Sequence, residues 1–243
     1  MRVGLISDIH ASLPALECVL AHARAESCTA FWNLGDLVGY GAFPDETVRL
    51  VRKLPGISIL GNYDEKVLAF PRKRVRWRKT KQPLKFKAFE WAYENLSKKS
   101  RKFLKKRRRE ARVQEGVQTL WLTHGSPASI EEAILPDTPP DRLRKLGAMA
   151  GAGIVLCGHS HIPFAFEFEG RWFLNPGSVG RPVDGDPRAS YAVLELGVES
   201  WSIQHYRLEY DVERAADAIR SRGLPDEFVR MLRTGRDLDA LGP

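Results

Sequence analysis

Five short polar clusters carry most of the chemistry available to this sequence. They are Ser7-Asp8-Ile9-His10, Gly35-Asp36-Leu37-Val38-Gly39, Gly61-Asn62-Tyr63-Asp64, Thr123-His124-Gly125 and Gly158-His159-Ser160-His161. Together they offer the carboxylates of Asp8 and Asp36, the amide oxygen of Asn62, and the imidazoles of His10, His124, His159 and His161. Hard oxygens combined with imidazole nitrogens suit Mn, Fe, Zn or Ni, and Cys157 is the one thiol nearby. Seven donors are too many for one tetrahedral ion. They fit two divalent ions that share a bridging carboxylate. Taken singly, each residue has an ordinary explanation: an Asp after a strand is usually a turn or cap residue, and a His is usually hydrogen-bonded in the core or on the surface. The set carries more weight than its members, because four of the six His fall inside these motifs; His22 and His205 lie outside and read as structural. Flanking glycines fit a backbone that must come close to a compact site.

The clusters must be positioned by the elements before them. Arg2 to Ser7 is a short apolar run that reads as a buried strand. Leu13 to Ala25 has helical period, with Ser12 as cap and Pro14 in the first turn. Thr29 to Leu34 reads as a second strand, Asp45 to Lys53 as a helix, and Ile57 to Leu60 as a third strand. This alternation predicts a mostly parallel sheet covered on both faces. Val117 to Thr123 and Ile154 to Cys157 read as further central strands, separated by a helix near Pro140 to Met149. All five clusters then follow strands, and in an open α/β sheet the carboxyl ends of strands converge on one crevice. After residue 160 the pattern becomes antiparallel. Phe164 to Phe168 and Arg171 to Leu174 flank Glu169-Gly170; Tyr191 to Leu196 and Ser200 to Leu208 flank Gly197. That region predicts a second sheet. Val212 to Gly235 is an amphipathic helical tail broken at Gly223-Leu224-Pro225, within a tail of residues 211–243. With no repeats and no low-complexity linker, residues 1–243 read as one domain.

Composition narrows the class. With 43% hydrophobic residues in 243, the chain can bury a sizeable core, which excludes disorder throughout. Three Cys, at 18, 28 and 157, cannot form a disulfide framework and suggest a reducing compartment. No apolar run approaches the roughly 20 residues of a membrane helix. Only Met1 and Arg2 precede the apolar Val3-Gly4-Leu5-Ile6, so no secretory leader is expected and the expected location is cytoplasmic. The net charge of +8 is unevenly placed. Residues 71–112 hold 19 Lys and Arg against three Glu, whereas the remainder holds 19 against 27 Asp and Glu. The segment supplies helices around 83–95 and 98–109. It reads either as a solvated helical face or as a surface that attracts a polyanion such as nucleic acid. Phe86, Phe89 and Tyr93 fall at helical spacing, which fits a core stripe better than a base-stacking platform.

The ordered motifs D-x-H (Asp8, His10), G-D-x-x-G (Gly35 to Gly39), G-N-x-D (Gly61 to Asp64), H-G (His124) and G-H-x-H (Gly158 to His161) resemble those of the calcineurin-like metallophosphoesterases. The likeness runs from residue 1 to about 195. It takes in Leu174 to Ser178 and Gly185 to Tyr191, which resemble small prokaryotic predicted phosphodiesterases of that family. The resemblance implies an α/β (α+β) fold, a four-layer αββα sandwich of two facing mixed sheets, here with a basic helical cap at 71–112. It implies one metal held by Asp8, His10, Asp36 and His161, a second held by Asp36, Asn62, His124 and His159, and Asp36 as the bridge. Two such ions would clamp a phosphodiester or nucleotide substrate and supply a bridging hydroxide as nucleophile. One position departs from the pattern: many members have, after the Asn, a His that protonates the leaving oxygen, and here it is Tyr63. Tyr63 reads equally as a weak acid and as a pocket wall. Gly39-Tyr40 replaces the D-R-G of the protein-phosphatase branch, which argues against that activity. Diadenosine polyphosphate hydrolysis and a nuclease using the basic segment remain as alternatives.

Overall fold

The computed structural model describes residues 1–241; residues 242 and 243, the end of the expected tail, lie outside the described residues. Two five-stranded mixed sheets form its centre. The first has the order β10 (Trp201–Leu208), β9 (Ala189–Leu196), β1 (Arg2–Ile6), β2 (Ala30–Asn33), β3 (Gly56–Ser58). The second has the order β4 (Glu110–Glu115), β5 (Gln118–Thr123), β6 (Ile154–Leu156), β8 (Arg171–Asn175), β7 (Phe164–Phe168).

Side-chain alternation explains the layering. Val3 and Leu5 of β1, Ala192 and Leu194 of β9, Leu120 and Leu122 of β5, and Ile154 and Leu156 of β6 form one buried cluster, so the sheets face each other through it. The intervening residues point outward. Ile6, Tyr191 and Val193 pack beneath α1 (Leu13–Ala25) and α2 (Pro44–Val51), whose Leu16, Val19, Val48 and Val51 complete that cluster. Trp121, Val155 and Phe173 pack beneath Leu143, Leu146 and Ala150 of α6 (Pro140–Ala150). The result is helix, sheet, sheet, helix.

The basic region folds as the long α3 (Asn62–Thr80), α4 (Pro83–Glu94) and α5 (Lys98–Lys105), then enters β4. Phe70 and Trp77 of α3 meet Phe86 and Phe89 of α4 at ring-centroid distances of 5.3 and 5.4 Å, which puts the aromatic stripe in the core. The Leu60 N–H donates to the Arg108 carbonyl (2.8 Å), tying the end of this region to the chain just before α3. The tail folds as α7 (Val212–Ser221) and α8 (Asp226–Thr234), which pack on Tyr40 and Ala42.

Three expectations change. β5 and β6 do not continue the first sheet; they pair with β4 and β8 in the second. The two late hairpins do not form a sheet of their own. The β7–β8 pair joins β6, whereas β9 joins β1. A short strand apolar on both faces reads the same in either sheet, and its partner is chosen by long-range packing. Finally, α3 and β4 are additions to the expected elements. Pro71 interrupts the helical pattern of α3, and β4 is a charged edge strand at the end of a basic run.

Candidate metal centre

Four strands of the two sheets end side by side. After β1 and β2 the chain pairs loop to loop: the N–H groups of Asp8, His10 and Ala11 donate to the carbonyls of Gly35, Asp36 and Leu37 at 3.1, 3.0 and 2.9 Å. After β5 and β6, the Gly158 N–H donates to the His124 carbonyl (2.8 Å). The two loop pairs are joined by the His159 N–H, which donates to Asp8 Oδ2 (3.0 Å). This tight path uses unusual backbone. Asp8, His10, Asp36, His159 and His161 all have φ between 47° and 66°, a left-handed region that side chains other than glycine rarely adopt. Two glycines make room for the carboxylates: a Cβ on Gly61 would collide with Asp36 Oδ1, and one on Gly158 would come within 2.8 Å of Asp8 Oδ2.

Each carboxylate is anchored by one oxygen and presents the other. Asp8 Oδ1 lies 3.2 Å from His161 Nε2 and 3.9 Å from both His10 Nε2 and His124 Nε2. Asp36 Oδ1 accepts from the Tyr63 N–H (2.7 Å), while Oδ2 lies 3.7 Å from His10 Nε2 and 3.4 Å from His124 Nε2. Two compact donor groups result, Asp8 with His10 and His161, and Asp8 with Asp36 and His124. Asn62 Oδ1 is buried without a partner. His159 belongs to neither group; its ring centroid lies 5.2 Å from that of His124.

The donor set fits cations. Asp8 Oδ1, Asn62 Oδ1 and His124 Nε2 are buried with no hydrogen-bond partner, a costly arrangement unless something binds them. His10 Nε2 and His161 Nε2 face each other at 3.3 Å. Three imidazoles turn their other nitrogen to a backbone carbonyl: His124 Nδ1 to Leu34 (2.8 Å), His161 Nδ1 to Arg181 (2.5 Å) and His159 Nε2 to Glu131 (3.1 Å). A carbonyl only accepts, so each of these nitrogens carries a proton and the other is the one turned to where a metal would bind. Cys157 is no competitor, since burial pushes its thiol up.

Electrostatics follow from burial and crowding. Burial drives the His10 imidazole down to about 3, against the pull of Asp36. At His124 burial acts in the same sense but is outweighed by Asp36 and Asp8, which lift it to about 9. Burial opposes the charge of Asp8, yet His161, His124 and His10 hold its carboxyl below the usual range.

Two supporting residues have no role in the sequence reading, although Asp64 closes one of its motifs. Asp64 is fully buried and accepts from the N–H groups of Leu37 (3.0 Å), Val38 (3.2 Å) and Gly61 (3.1 Å), locking the start of α3 to the loop that carries Asp36. Its signal is a helix-capping one, an acid three residues after Gly61. Arg181 is 8% exposed, its guanidinium 4.3 Å from the Tyr40 ring centroid and paired with Asp237 (2.5 Å). No local pattern announces it. Tyr63 is half-buried, edge-on to His10 (ring centroids 5.1 Å apart), and its hydroxyl meets that of Tyr40 at 2.6 Å. Burial pushes the Tyr63 phenol well above its ordinary value.

Similarity to known proteins agrees with this geometry. The model of the calcineurin-like phosphoesterase superfamily domain matches residues 1–199. An uncharacterized protein of Methanocaldococcus jannaschii is 30% identical, over 96% of this chain and 98% of its own. The phosphodiesterase YfcE of Escherichia coli is 27% identical over 82% and 90% respectively. A metallophosphoesterase structure from Sphaerobacter thermophilus superposes with a TM-score of 0.79 at 30% identity, covering 97% of this chain and 99% of that one. A hypothetical protein of Pyrococcus horikoshii shares the fold, with a TM-score of 0.86 at 21% identity over 96% and 98%. With strand ends, buried donors and relatives in agreement, the chain belongs to the calcineurin-like phosphoesterase superfamily.

Proposed function

We propose that this protein is a phosphodiesterase that works with two divalent ions. The observation that carries the reading is the burial, at one junction of four strand ends, of carboxylate, amide and imidazole donors that have no partner within the protein. Asp8, His10 and His161 would hold one ion; Asn62, His124 and His159 the other. Asp36 is suited to join them, because Oδ2 lies between His10 and His124. Mn, Fe, Zn and Ni all accept such a donor set. Bound there, divalent ions supply Lewis acidity toward phosphoryl oxygens and acidify water.

The protein's own part is preorganisation. The carbonyls of Leu34, Glu131 and Arg181 fix the tautomers of three imidazoles. The Tyr63 N–H holds Asp36 by the oxygen that faces away from His10 and His124. Tyr63, with its hydroxyl bonded to Tyr40 and its phenol pushed up by burial, is a wall of the site and not a ready proton donor. The site therefore favours leaving groups that depart without a proton.

The test uses dialysed protein with bis(4-nitrophenyl) phosphate and with 4-nitrophenyl phosphate. Hydrolysis of the diester should depend on added Mn or Ni, cease with a chelator, and exceed that of the monoester. Turnover that is indifferent to chelation, or none with any divalent ion, would overturn the proposal. Among the described residues no helix is long and apolar enough to cross a membrane.

A further inference from the structure

The basic half of α3 does more than face solvent. Asn62, Lys66, Lys73, Trp77 and Lys81 lie in the wall of one cavity of about 270 Å³, together with Glu131 from the loop after β5. Their spacing of four, seven, four and four residues puts them on one side of the helix. Within this wall Lys66 is neutralised by Glu131 (Nζ to Oε1 2.7 Å). Glu65, which also lines the cavity, is taken by Arg109 through two hydrogen bonds of 2.5 and 2.9 Å. Lys73 and Lys81 form no ion pair among the described residues; their ammonium groups lie 5.5 and 5.6 Å from the Trp77 ring centroid. Two cations with no ion-pair partner among the described residues thus line a cavity that also reaches Asn62, a candidate donor of the metal centre.

We infer that this cavity receives the substrate beyond its scissile phosphate and that the substrate is the end of a single-stranded oligonucleotide. The inference rests on the phosphodiesterase reading and gives it a substrate class. The spacing selects the ligand. Asn62 and Lys81, at the two ends of this wall, are nineteen residues apart, about 28 Å of rise along a helix, more than a lysine side chain leaning back toward the N-terminus makes up. A triphosphate is too short to reach from one to the other, whereas a few nucleotides of extended strand are long enough. Lysine ammonium groups act as point charges toward phosphate and read no sequence. Trp77 is buried, so it holds the two lysines in place instead of stacking on a base. A larger cavity of about 760 Å³ shares Glu65 and Ala69 with the first and continues the basic lining away from it.

The test holds the leaving group constant. Thymidine and a thymidine tetranucleotide, each carrying a 5′-(4-nitrophenyl) phosphate ester, are hydrolysed by the Mn-loaded protein at low salt. The tetranucleotide ester should have kcat/KM about tenfold higher, and added salt should erode the advantage. In the double variant Lys73→Met/Lys81→Met the ratio should fall to about one, while Lys79→Met, the same loss of charge outside the cavity wall, should keep it. Binding of a fluorescent thymidine octanucleotide, read by anisotropy, needs no turnover. The double variant should weaken it and flatten the slope of log affinity against log salt by about 1.4, the share of two phosphates that the lysines no longer neutralise. Equal kcat/KM for the two esters in the wild type, an unchanged ratio in the double variant, or an equal loss in Lys79→Met would overturn the inference. So would the same advantage, abolished by the same double variant, for the γ-(4-nitrophenyl) ester of thymidine triphosphate. If neither ester is cleaved with any divalent ion, the phosphodiesterase reading fails, and the anisotropy slope alone decides whether the cavity takes a strand.

Discussion

Asp36→Asn keeps the shape of the side chain and removes its charge. The asparagine oxygen can still accept the Tyr63 N–H, as Asp36 Oδ1 does at 2.7 Å. Its amide nitrogen then replaces Oδ2, placing a donor where an acceptor lay 3.4 Å from His124 Nε2 and 3.7 Å from His10 Nε2. On the proposed reading a shared ligand is lost while the local fold keeps its anchor. Removing a supporting group around a metal costs 10–100-fold in affinity, and a direct ligand should cost at least the upper figure, about 100-fold. At a metal concentration one hundred times its dissociation constant, each ion stabilises the wild type by about 2.7 kcal/mol. With affinity reduced a hundredfold, the same concentration contributes about 0.4 kcal/mol. For a chain of this length 1 kcal/mol moves Tm by about 2–4 °C, so the metal-induced rise should shrink from about 5–10 °C to about 1–2 °C per ion. Thermal melts with and without Mn, combined with metal analysis of the purified protein, provide the assay. A variant with the wild-type rise in Tm, or with near-normal diester turnover, would refute the role of Asp36.

Asp64→Ala should destabilise the protein by about 3 kcal/mol, since it leaves three N–H groups buried without an acceptor, and urea denaturation checks this. A loss under about 1 kcal/mol would mean that water replaces the carboxylate there. Tyr63→Phe should change kcat/KM on an aryl diester by less than about threefold, because the hydroxyl is bonded to Tyr40 and poorly acidic. A loss of about a hundredfold would instead make Tyr63 an acid or a substrate contact. Gly61→Ala should lower activity and metal content together, because its Cβ would collide with Asp36 Oδ1; wild-type metal content in that variant would contradict the packing argument.

The chemistry of this protein is legible in its sequence because every candidate donor sits in a motif tied to a strand end. Asp8, His10, Asp36, Asn62, His124, His159 and His161 need only residue type and spacing to be singled out. Most elements are legible too, since short apolar runs mark strands buried on both faces and helical period marks the helices that cover them. Sheet membership is not. β5 and β9 have similar apolar patterns, and only the packing of the inner cluster sends one to each sheet. Nor is the mutual geometry of the donors. The left-handed backbone at Asp8, His10, Asp36, His159 and His161, the lock formed by Asp64, and the placement of Arg181 against Tyr40 all depend on groups distant in the chain. The same holds for the basic segment, whose lysines share a cavity with Asn62 only because α3 begins at that residue and runs on through Lys73. Residue type fixes what a side chain can donate or accept, and it is local. Which atoms it meets is set by long-range burial, which no short stretch of sequence contains.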